Sequence, residues 1–205
     1  MKLWGRANST NVRKARWCAA ELNLNPELIE VGGAFGGVDT PEYRAMNPNG
    51  LVPCLEDDGL VLWESNTIVR YLARRYGQPP FTPEGPVAWA EAEKWMDWAS
   101  TSLTEPFKQL FLNRVRRTPE ERDNAAMEQG RQVCAGLMPI ADDALRERRF
   151  LAGDSLTVAD LPLGCFAYAW FSMDIERPDL PHLAAWYQRL TERPAFQTAV
   201  MTPLT

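Results

Sequence analysis

Three short polar stretches in the first 65 residues carry groups that could bind an anionic ligand. The first is Ser9-Thr10-Asn11, which directly precedes an amphipathic helical pattern. The free amides and the dipole of a helix N-terminus favour an anion, and a serine hydroxyl can donate a hydrogen bond to it. The alternative interpretation is that Ser9 or Thr10 only caps the helix.

The second stretch is Val52-Pro53, within the apolar run Leu51–Leu55. A proline cannot donate to a sheet ladder, so it indicates an edge or an interruption of a strand. If the bond between the two residues is cis, the turn presents the backbone groups of Val52 to a ligand. An ordinary edge proline is the alternative.

The third stretch is Glu64-Ser65, which comes directly before another helical pattern. Ser65 could simply cap that helix. The same turn offers free amides to a ligand carboxylate, and Glu64 could pair with a ligand ammonium group.

An apolar partner for such a site could come from aromatic residues later in the chain. Five of them form the candidate set: Phe107, Phe111, Tyr168, Trp170 and Phe171. Most aromatic residues of this kind belong to the core. Some could line a cleft between two halves of a protein, where ligand pockets often form, and we assign Phe107, Phe111 and Trp170 to that role.

Composition excludes several other kinds of function. The net charge of −5 gives no electrostatic reason to expect nucleic-acid binding. No apolar run reaches membrane-spanning length, and the N-terminus lacks the apolar stretch of a secretory signal, so we expect a cytoplasmic protein. The only histidine, His182, lies at a helix start, which argues against a Ser-His-Asp triad.

The four cysteines are far apart in the sequence and form no Cys-x-x-Cys pair: Cys18, Cys54, Cys134 and Cys165. This spacing argues against a zinc site and against an internal redox dithiol. We expect no bound metal.

The elements before residue 77 alternate between strand and helix. The patterns predict strands at 2–5 and 27–31 and two more within 51–63, with helices at 11–23 and 64–77. Asp-Asp-Gly between the last two strands indicates a hairpin, and Gly77 is predicted to close the second helix. The order β-α-β, a loop, then β-β-α is typical of an α/β thioredoxin-like domain.

After a Gly- and Pro-rich boundary at 76–86, every long segment is predicted to be helical. The predicted helices are 87–115 with a kink at Pro106, 119–147, 155–171, and two short helices within 180–196. Thr157 and Asp160 have the spacing of a capping box at the start of the apolar segment, which should be the central buried helix. We therefore predict an α/β domain at 1–77 and an all-α bundle at 87–205.

The order of these signals resembles that of the cytosolic glutathione S-transferases. The resemblance covers essentially the whole chain, and two stretches carry most of it: "NPNGLVPCLEDDGLVLWESNTIVRYLARRYG" and "RRFLAGDSLTVADLPLG". The start "MKLWGRANSTNVRKARW" is similar to that of serine-using bacterial and plant-type members, which are theta- or phi-like.

The resemblance implies a role for each polar stretch. Ser9 matches the residue that hydrogen-bonds the glutathione sulfur. Val52 matches the residue whose backbone pairs with the cysteinyl part of the tripeptide, and Pro53 matches the cis-proline. Glu64 and Ser65 match the pair that holds the γ-glutamyl end.

Two features depart from the commoner family pattern. Leu51 stands where a lysine or glutamine often precedes Val-Pro. The loop "GGAFGGVDTPEYR" lacks the basic residue that some members place near Asp39 and Thr40 for the glycyl carboxylate.

The identity of the sulfur ligand stays open between Ser9 and Asn11, whose side-chain amide is also a donor. Thr10 is expected to face away, because adjacent residues at a helix start point in different directions. Arg6, Arg13 and Lys14 could add positive potential, although basic residues on helices are usually solvated.

The resemblance further implies a homodimer that conjugates glutathione, its co-substrate, to small apolar electrophiles. No cysteine lies at the helix start, so none is predicted to be the nucleophile. One alternative is a glutathione-dependent disulfide-bond reductase that uses the bound thiol. The other is a non-catalytic glutathione-binding protein of the same fold, which Leu51 mildly favours.

Overall fold

A computed structural model describes all 205 residues and places every strand in the first third of the chain. The strands are β1 (Lys2–Trp4), β2 (Glu27–Ile29), β3 (Cys54–Asp57) and β4 (Leu60–Trp63). They form one sheet in the order β2-β1-β3-β4, in which β1 and β2 are parallel and the other two pairs are antiparallel. This confirms the predicted thioredoxin-like architecture.

Three helices cover this sheet: α1 (Thr10–Glu21), α2 (Pro41–Met46) and α3 (Ser65–Tyr76). Helix α1 is the crossover between the parallel strands β1 and β2, the connection that parallel pairing requires. Helices α1 and α3 pack directly against each other.

The predicted hairpin at Asp-Asp-Gly joins β3 to β4. Asp57 pairs with Leu60 in the register of the two strands. The two turn residues, Asp58 and Gly59, have φ angles of 49° and 82°. A two-residue hairpin turn of the favoured twist needs positive φ at both positions, which these residue types tolerate.

Gly77 ends α3, as predicted, but its backbone is not in the left-handed conformation that is common for a glycine at this position. Its φ of −85° and ψ of 163° are extended. A Cβ atom at this position would lie 2.0 Å from Thr82 Oγ1 and 2.6 Å from the Ala73 carbonyl oxygen. The glycine is therefore explained by the close approach of the following segment.

The second half consists of six α-helices. They are α4 (Gly85–Trp98), α5 (Thr104–Phe111), α6 (Asn124–Ala144), α7 (Asp160–Ser172), α8 (Pro181–Thr191) and α9 (Pro194–Ala199). The segment predicted as one kinked helix is divided by a wide helical turn at Ala99–Leu103. Pro106 lacks an N–H and would crowd the carbonyl of Ser102, and the wide turn at that carbonyl accommodates it.

Helix α7 begins at Asp160, five residues later than predicted. The Asp160 carboxylate accepts hydrogen bonds from the N–H groups of Leu151 and Thr157 and from Trp186 Nε1, at 2.9–3.0 Å. The Thr157 hydroxyl accepts from the N–H of Ala159 instead of completing the box. The predicted capping box is therefore half formed, and its carboxylate also ties α7 to α8.

Buried apolar residues from both halves form one continuous core. Helix α7 is its centre, since most of its residues are buried on every face. The two halves meet where Trp17 of α1 packs edge-on against Phe196 of α9, with ring centroids 4.7 Å apart. None of the helices combines the length and apolar character that crossing a membrane requires.

Candidate functional site

The N-termini of α1 and α3 adjoin each other. The Ser65 hydroxyl at the start of α3 donates a hydrogen bond of 3.4 Å to Asn11 Oδ1 in the first turn of α1. No side chain caps either helix. The first-turn amides of both helices are therefore free of side-chain acceptors, and two helix dipoles favour negative charge at one place.

Ser9 is the N-cap residue of α1, but its hydroxyl makes no capping hydrogen bond. Its backbone is extended, with φ −84° and ψ 126°, and its carbonyl accepts from the N–H of Arg13 at 2.9 Å. The residue is 8% exposed and lines a cavity of about 180 Å³ between the two halves, called here the site cavity. The hydroxyl is thus available to a ligand.

Thr10 and Asn11 also line the site cavity. Thr10 was expected to face away from the sulfur, and it borders the cavity together with Ser9 and Asn11. Asn11 is exposed and is the residue that faces Ser65.

The Val52–Pro53 peptide bond is cis. The carbonyl of the preceding Leu51 accepts two hydrogen bonds of 2.7 Å, from the Tyr43 hydroxyl and from Asn47 Nδ2. No hydrogen bond within the chain engages the N–H or the C=O of Val52. These backbone groups are therefore free to pair with an extended peptide ligand.

Glu64 has an unusual backbone conformation for its residue type, with φ 70° and ψ 112°. Positive φ in a residue with a side chain costs about 1–3 kcal/mol and is concentrated at functional sites. The Glu64 carboxylate is exposed and makes no ion pair within the chain. Ser65, the next residue, is buried at the first position of α3.

Three phenylalanines form the apolar wall of the site cavity: Phe107, Phe111 and Phe166. The first two come from α5 and stack with centroids 6.1 Å apart, and Phe166 of α7 meets Phe107 edge-on at 4.9 Å. Trp170, which we assigned to this wall, is 1% exposed and does not line the cavity. It lies one turn further along α7, where neighbouring helices surround it.

Lys14 lies in the core beside this wall. It is 1% exposed, with Nζ 5.4 Å from the centroid of the Phe166 ring, whereas the sequence suggested a solvated side chain. Burial lowers the pKa of the ammonium to about 8, and the negative charge of Glu64 partly opposes this. Its i−4 neighbour Thr10 lines the cavity, which places this lysine one turn below the helix end.

The rim of the site cavity is basic. Arg6 precedes α1 in the sequence, Lys108 lies on α5, and Arg116 lies in the helical turn after α5. Sequence analysis missed Lys108, Arg116 and Phe166. The basic run "RVRR" that closes the α5 region was the available signal, but nothing local relates it to the start of α1.

All four cysteine thiols are free and buried. Burial raises the pKa of Cys54 to about 11 and those of Cys134 and Cys165 to about 12, and it raises the pKa of Cys18 further. A thiol with such a pKa is not ionised near neutral pH and is a poor nucleophile. The chain contains no group of three or more His, Cys, Asp or Glu side chains placed to hold a metal ion.

Comparison with known proteins finds two family models in the same order along the chain. The model described as "Glutathione S-transferase, N-terminal domain" matches residues 3–80, and that described as "Glutathione S-transferase, C-terminal domain" matches residues 92–194. The chain is 45% identical over 204 residues to glutathione S-transferase GstB of Escherichia coli K12, covering 98% of each. It is 30% identical to glutathione S-transferase F13 of Arabidopsis thaliana, covering 96% of this chain and 93% of that one.

Among solved structures, the chain is similar to the theta-class glutathione S-transferase of Xanthomonas axonopodis pv. citri with glutathione bound. The identity is 52%, the TM-score is 0.97, and the match covers 100% of this chain and 98% of that chain. The likeness therefore extends over both halves and over their relative placement.

Proposed function

Since the chain belongs to the glutathione S-transferase family, we propose that its site cavity holds the reacting ends of glutathione and an electrophile, with Ser9 donating to the sulfur. One observation carries the proposal. The Ser9 hydroxyl, at an uncapped helix N-terminus, makes no capping bond and lines the cavity. That is the arrangement a bound thiolate requires, because the thiolate accepts hydrogen bonds and is stabilised by the dipole.

The remaining site residues fit the rest of the tripeptide. The free N–H and C=O of Val52, after which Pro53 follows in cis, suit the cysteinyl backbone. The uncapped start of α3 at Ser65 suits the γ-glutamyl carboxylate. The unpaired carboxylate of Glu64 suits the γ-glutamyl ammonium.

The mechanism follows from the pKa of the thiol. A free thiol with a pKa of about 8.5 is roughly 3% ionised at pH 7. Lowering that pKa by about two units requires roughly 2.7 kcal/mol and raises the ionised fraction to roughly three quarters. Donation by Ser9, the α1 dipole and the buried charge of Lys14 together supply stabilisation of this kind.

The thiol proton leaves to solvent, and the sulfur then attacks the electrophilic carbon. A C–S bond forms, and where a leaving group is displaced it departs with the electron pair of its bond. The apolar wall of Phe107 and Phe111 receives the body of the electrophile. We propose further that the protein acts in the cytoplasm and that it is a homodimer. Light scattering on the purified chain would test the dimer.

The decisive experiment follows bound-thiolate absorbance against pH in Ser9→Ala, Thr10→Val and Asn11→Ala. We expect Ser9→Ala to raise the thiol pKa and to lower kcat/KM by a factor that corresponds to about 2–3 kcal/mol, the scale of one lost oxyanion-type donor. Glutathione affinity should change little. If only Asn11→Ala raised the pKa of the bound thiol, Asn11 would be the residue that donates to the sulfur, and Ser9 would not have this role.

Two further measurements separate the alternatives. Ser65→Ala should weaken glutathione binding in calorimetric titration, and unchanged affinity would remove Ser65 from the site. Assays with an aryl halide and with hydroxyethyl disulfide distinguish a transferase from a disulfide-bond reductase. A mixed disulfide of glutathione with Cys18 during turnover would favour the reductase.

A further inference from the structure

The site cavity is apolar on one side and cationic on the other. Three of its eleven lining residues are basic (Arg6, Lys108 and Arg116) and none is acidic. The whole chain has the opposite sign, with a net charge of −5. A positive rim on an acidic protein is a local feature that the overall composition does not explain.

Two of the three rim cations have no carboxylate side chain as a partner. Neither Arg6 nor Arg116 forms an ion pair with any aspartate or glutamate of the chain, whereas Lys108 lies 3.4 Å from Glu105. The guanidinium of Arg116 donates to the carbonyl oxygen of Asn8 at 3.4 Å and to an oxygen of Thr205, the last residue described, at 3.0 Å. Arg6 therefore keeps an uncompensated charge, and Arg116 has no aspartate or glutamate partner.

Arg6 is held in place with a donor to spare. Its Nη1 donates to Asn8 Oδ1 at 2.7 Å, while its Nε is buried and has no acceptor within the protein. The side chain crosses Gly33, where a Cβ atom would lie 2.8 Å from that Nε. A buried N–H without an acceptor costs about 1–3 kcal/mol, so hydrogen bonds within the protein alone do not account for the position of this side chain.

The positions of the rim and wall define the complementary molecule. Arg116 lies over Phe111, with its Cζ 5.1 Å from the ring centroid, so cationic and apolar surfaces are adjacent. Mutual repulsion from Arg6 and Arg13 adds to burial in lowering the pKa of Arg116. A cavity of about 180 Å³ is close to the roughly 150 Å³ that accommodates one benzene ring.

We propose that the preferred electrophile of this transferase carries a carboxylate or sulfonate on a small aromatic or aliphatic body, and that Arg116 and Arg6 bind that anionic group. The inference rests on the proposed function, because it concerns the second substrate of the same site. The apolar body lies against Phe107 and Phe111, and its anionic group lies at the rim. The reacting carbon then faces the sulfur at Ser9.

The test uses a matched pair of substrates, a chlorodinitrobenzoate and the corresponding chlorodinitrobenzamide with identical ring positions. In both, the glutathione sulfur bonds to the ring carbon that carries chlorine, and chloride leaves with the electron pair of the C–Cl bond. Each kcat/KM is divided by the rate constant of the same compound with free glutathione. This removes the difference in intrinsic reactivity between acid and amide.

We expect the wild-type acid-to-amide ratio to exceed unity by about tenfold, the effect of one charge-assisted hydrogen bond, and to fall with added salt. Arg116→Met should bring the ratio close to one, and Arg116→Lys should keep most of it. The control is Arg114→Met, which removes the same charge two residues away. Arg114 does not line the cavity and is paired with Asp174 at 3.1 Å.

The outcomes are distinguishable. Absence of turnover with both compounds would overturn the proposed transferase function itself. Turnover of the amide with a ratio near one in the wild type would overturn only the inference. If Arg116→Met raised the KM for glutathione and left the ratio unchanged, the arginine would serve glutathione, and the inference would again fail.

Discussion

The Ser9 hydroxyl stands at a helix N-cap without capping, so its removal should have little effect on stability. We expect Ser9→Ala to change the free energy of unfolding by less than about 0.5 kcal/mol, because no hydrogen bond to the helix is lost. The matched control is Asp123→Ala at the N-cap of α6. In the wild type, Asp123 Oδ1 accepts a hydrogen bond from the N–H of Ala126 at 2.9 Å. The free energy of unfolding of this variant, measured in urea, should fall by about 1 kcal/mol.

Equal losses in the two variants would mean that Ser9 is a structural cap, and the activity loss of Ser9→Ala would then need another explanation. A small loss for Ser9→Ala together with a raised thiol pKa would assign the hydroxyl to ligand binding.

Lys14 gives the protein a distinctive stability profile in mildly alkaline solution. Its ordinary pKa of 10.5 falls to about 8 in the folded state because of burial. Between these values the unfolded chain binds a proton at Lys14 that the folded chain does not. Rising pH therefore favours the folded state, and the contribution of Lys14 should increase by about 2 kcal/mol from about pH 7 to about pH 9.5.

The measurement compares urea unfolding of the wild type and Lys14→Met across this range. The buried thiols have raised pKa values and oppose the trend, but they are present in both proteins, so the difference isolates Lys14. A difference that does not change with pH would show that Lys14 stays charged in the folded protein.

At the scale of elements, the contact between α1 and α7 depends on Gly164. A Cβ atom there would lie 2.6 Å and 2.9 Å from two ring carbons of Trp17. Alanine favours a helix over glycine by up to about 1 kcal/mol, but overpacking a rigid core costs about 1–3 kcal/mol. We expect Gly164→Ala to destabilise the protein by about 2 kcal/mol in thermal or urea unfolding.

The matched control is Gly136→Ala on α6, where no atom lies within 4 Å of the added Cβ. Because the added methyl group meets no atom, only the higher helix propensity of alanine should matter. The free energy of unfolding should rise by up to about 1 kcal/mol. If Gly164→Ala were also stabilising, α7 would be able to move away from Trp17, and the junction of the two halves would be looser than described.

Elements were predictable from sequence wherever a periodic pattern and a local signal coincided. The Asp58-Gly59 turn and the central position of α7 follow from residue types alone. Boundaries set by distant partners did not follow. The start of α7 depends on Asp160 reaching Leu151 and Trp186. The end of α3 at Gly77 was predicted, but the reason for that glycine, the close approach of Thr82, was not.

The candidate site divides in the same way. Ser9, Val52 and Glu64 belong to turns that are recognisable locally, so sequence could nominate them. Arg6 and Arg116 are 110 positions apart in the numbering, and only the packing of α5 against the first half brings them to one rim. The burial of Lys14 depends on a different distant partner, because Phe166 of α7 lies beside its Nζ and α7 packs against α1.

At the scale of the whole molecule, the single core predicts a single unfolding transition. The core joins residues of the sheet-containing half, such as Trp17, to residues of the helical half, such as Phe196, without a break. Separating the halves would expose large aromatic surfaces to water. We expect urea unfolding followed by far-ultraviolet circular dichroism and by tryptophan fluorescence to give coincident midpoints.

A fluorescence midpoint well below the dichroism midpoint would show that one half unfolds first. The same experiment at two protein concentrations controls for association, because a dimer that dissociates on unfolding has a concentration-dependent midpoint.

The backbone of Glu64 has a consequence for anyone who wishes to engineer this protein. Its φ of 70° is unfavourable for a glutamate and costs glycine little. The wild-type residue therefore lowers stability at the position that is proposed to bind the ligand. A library screened only for heat resistance should therefore enrich Glu64→Gly, and the enriched clones should bind glutathione less tightly. At this residue, a substitution that raises thermal stability is expected to lower the affinity for the ligand.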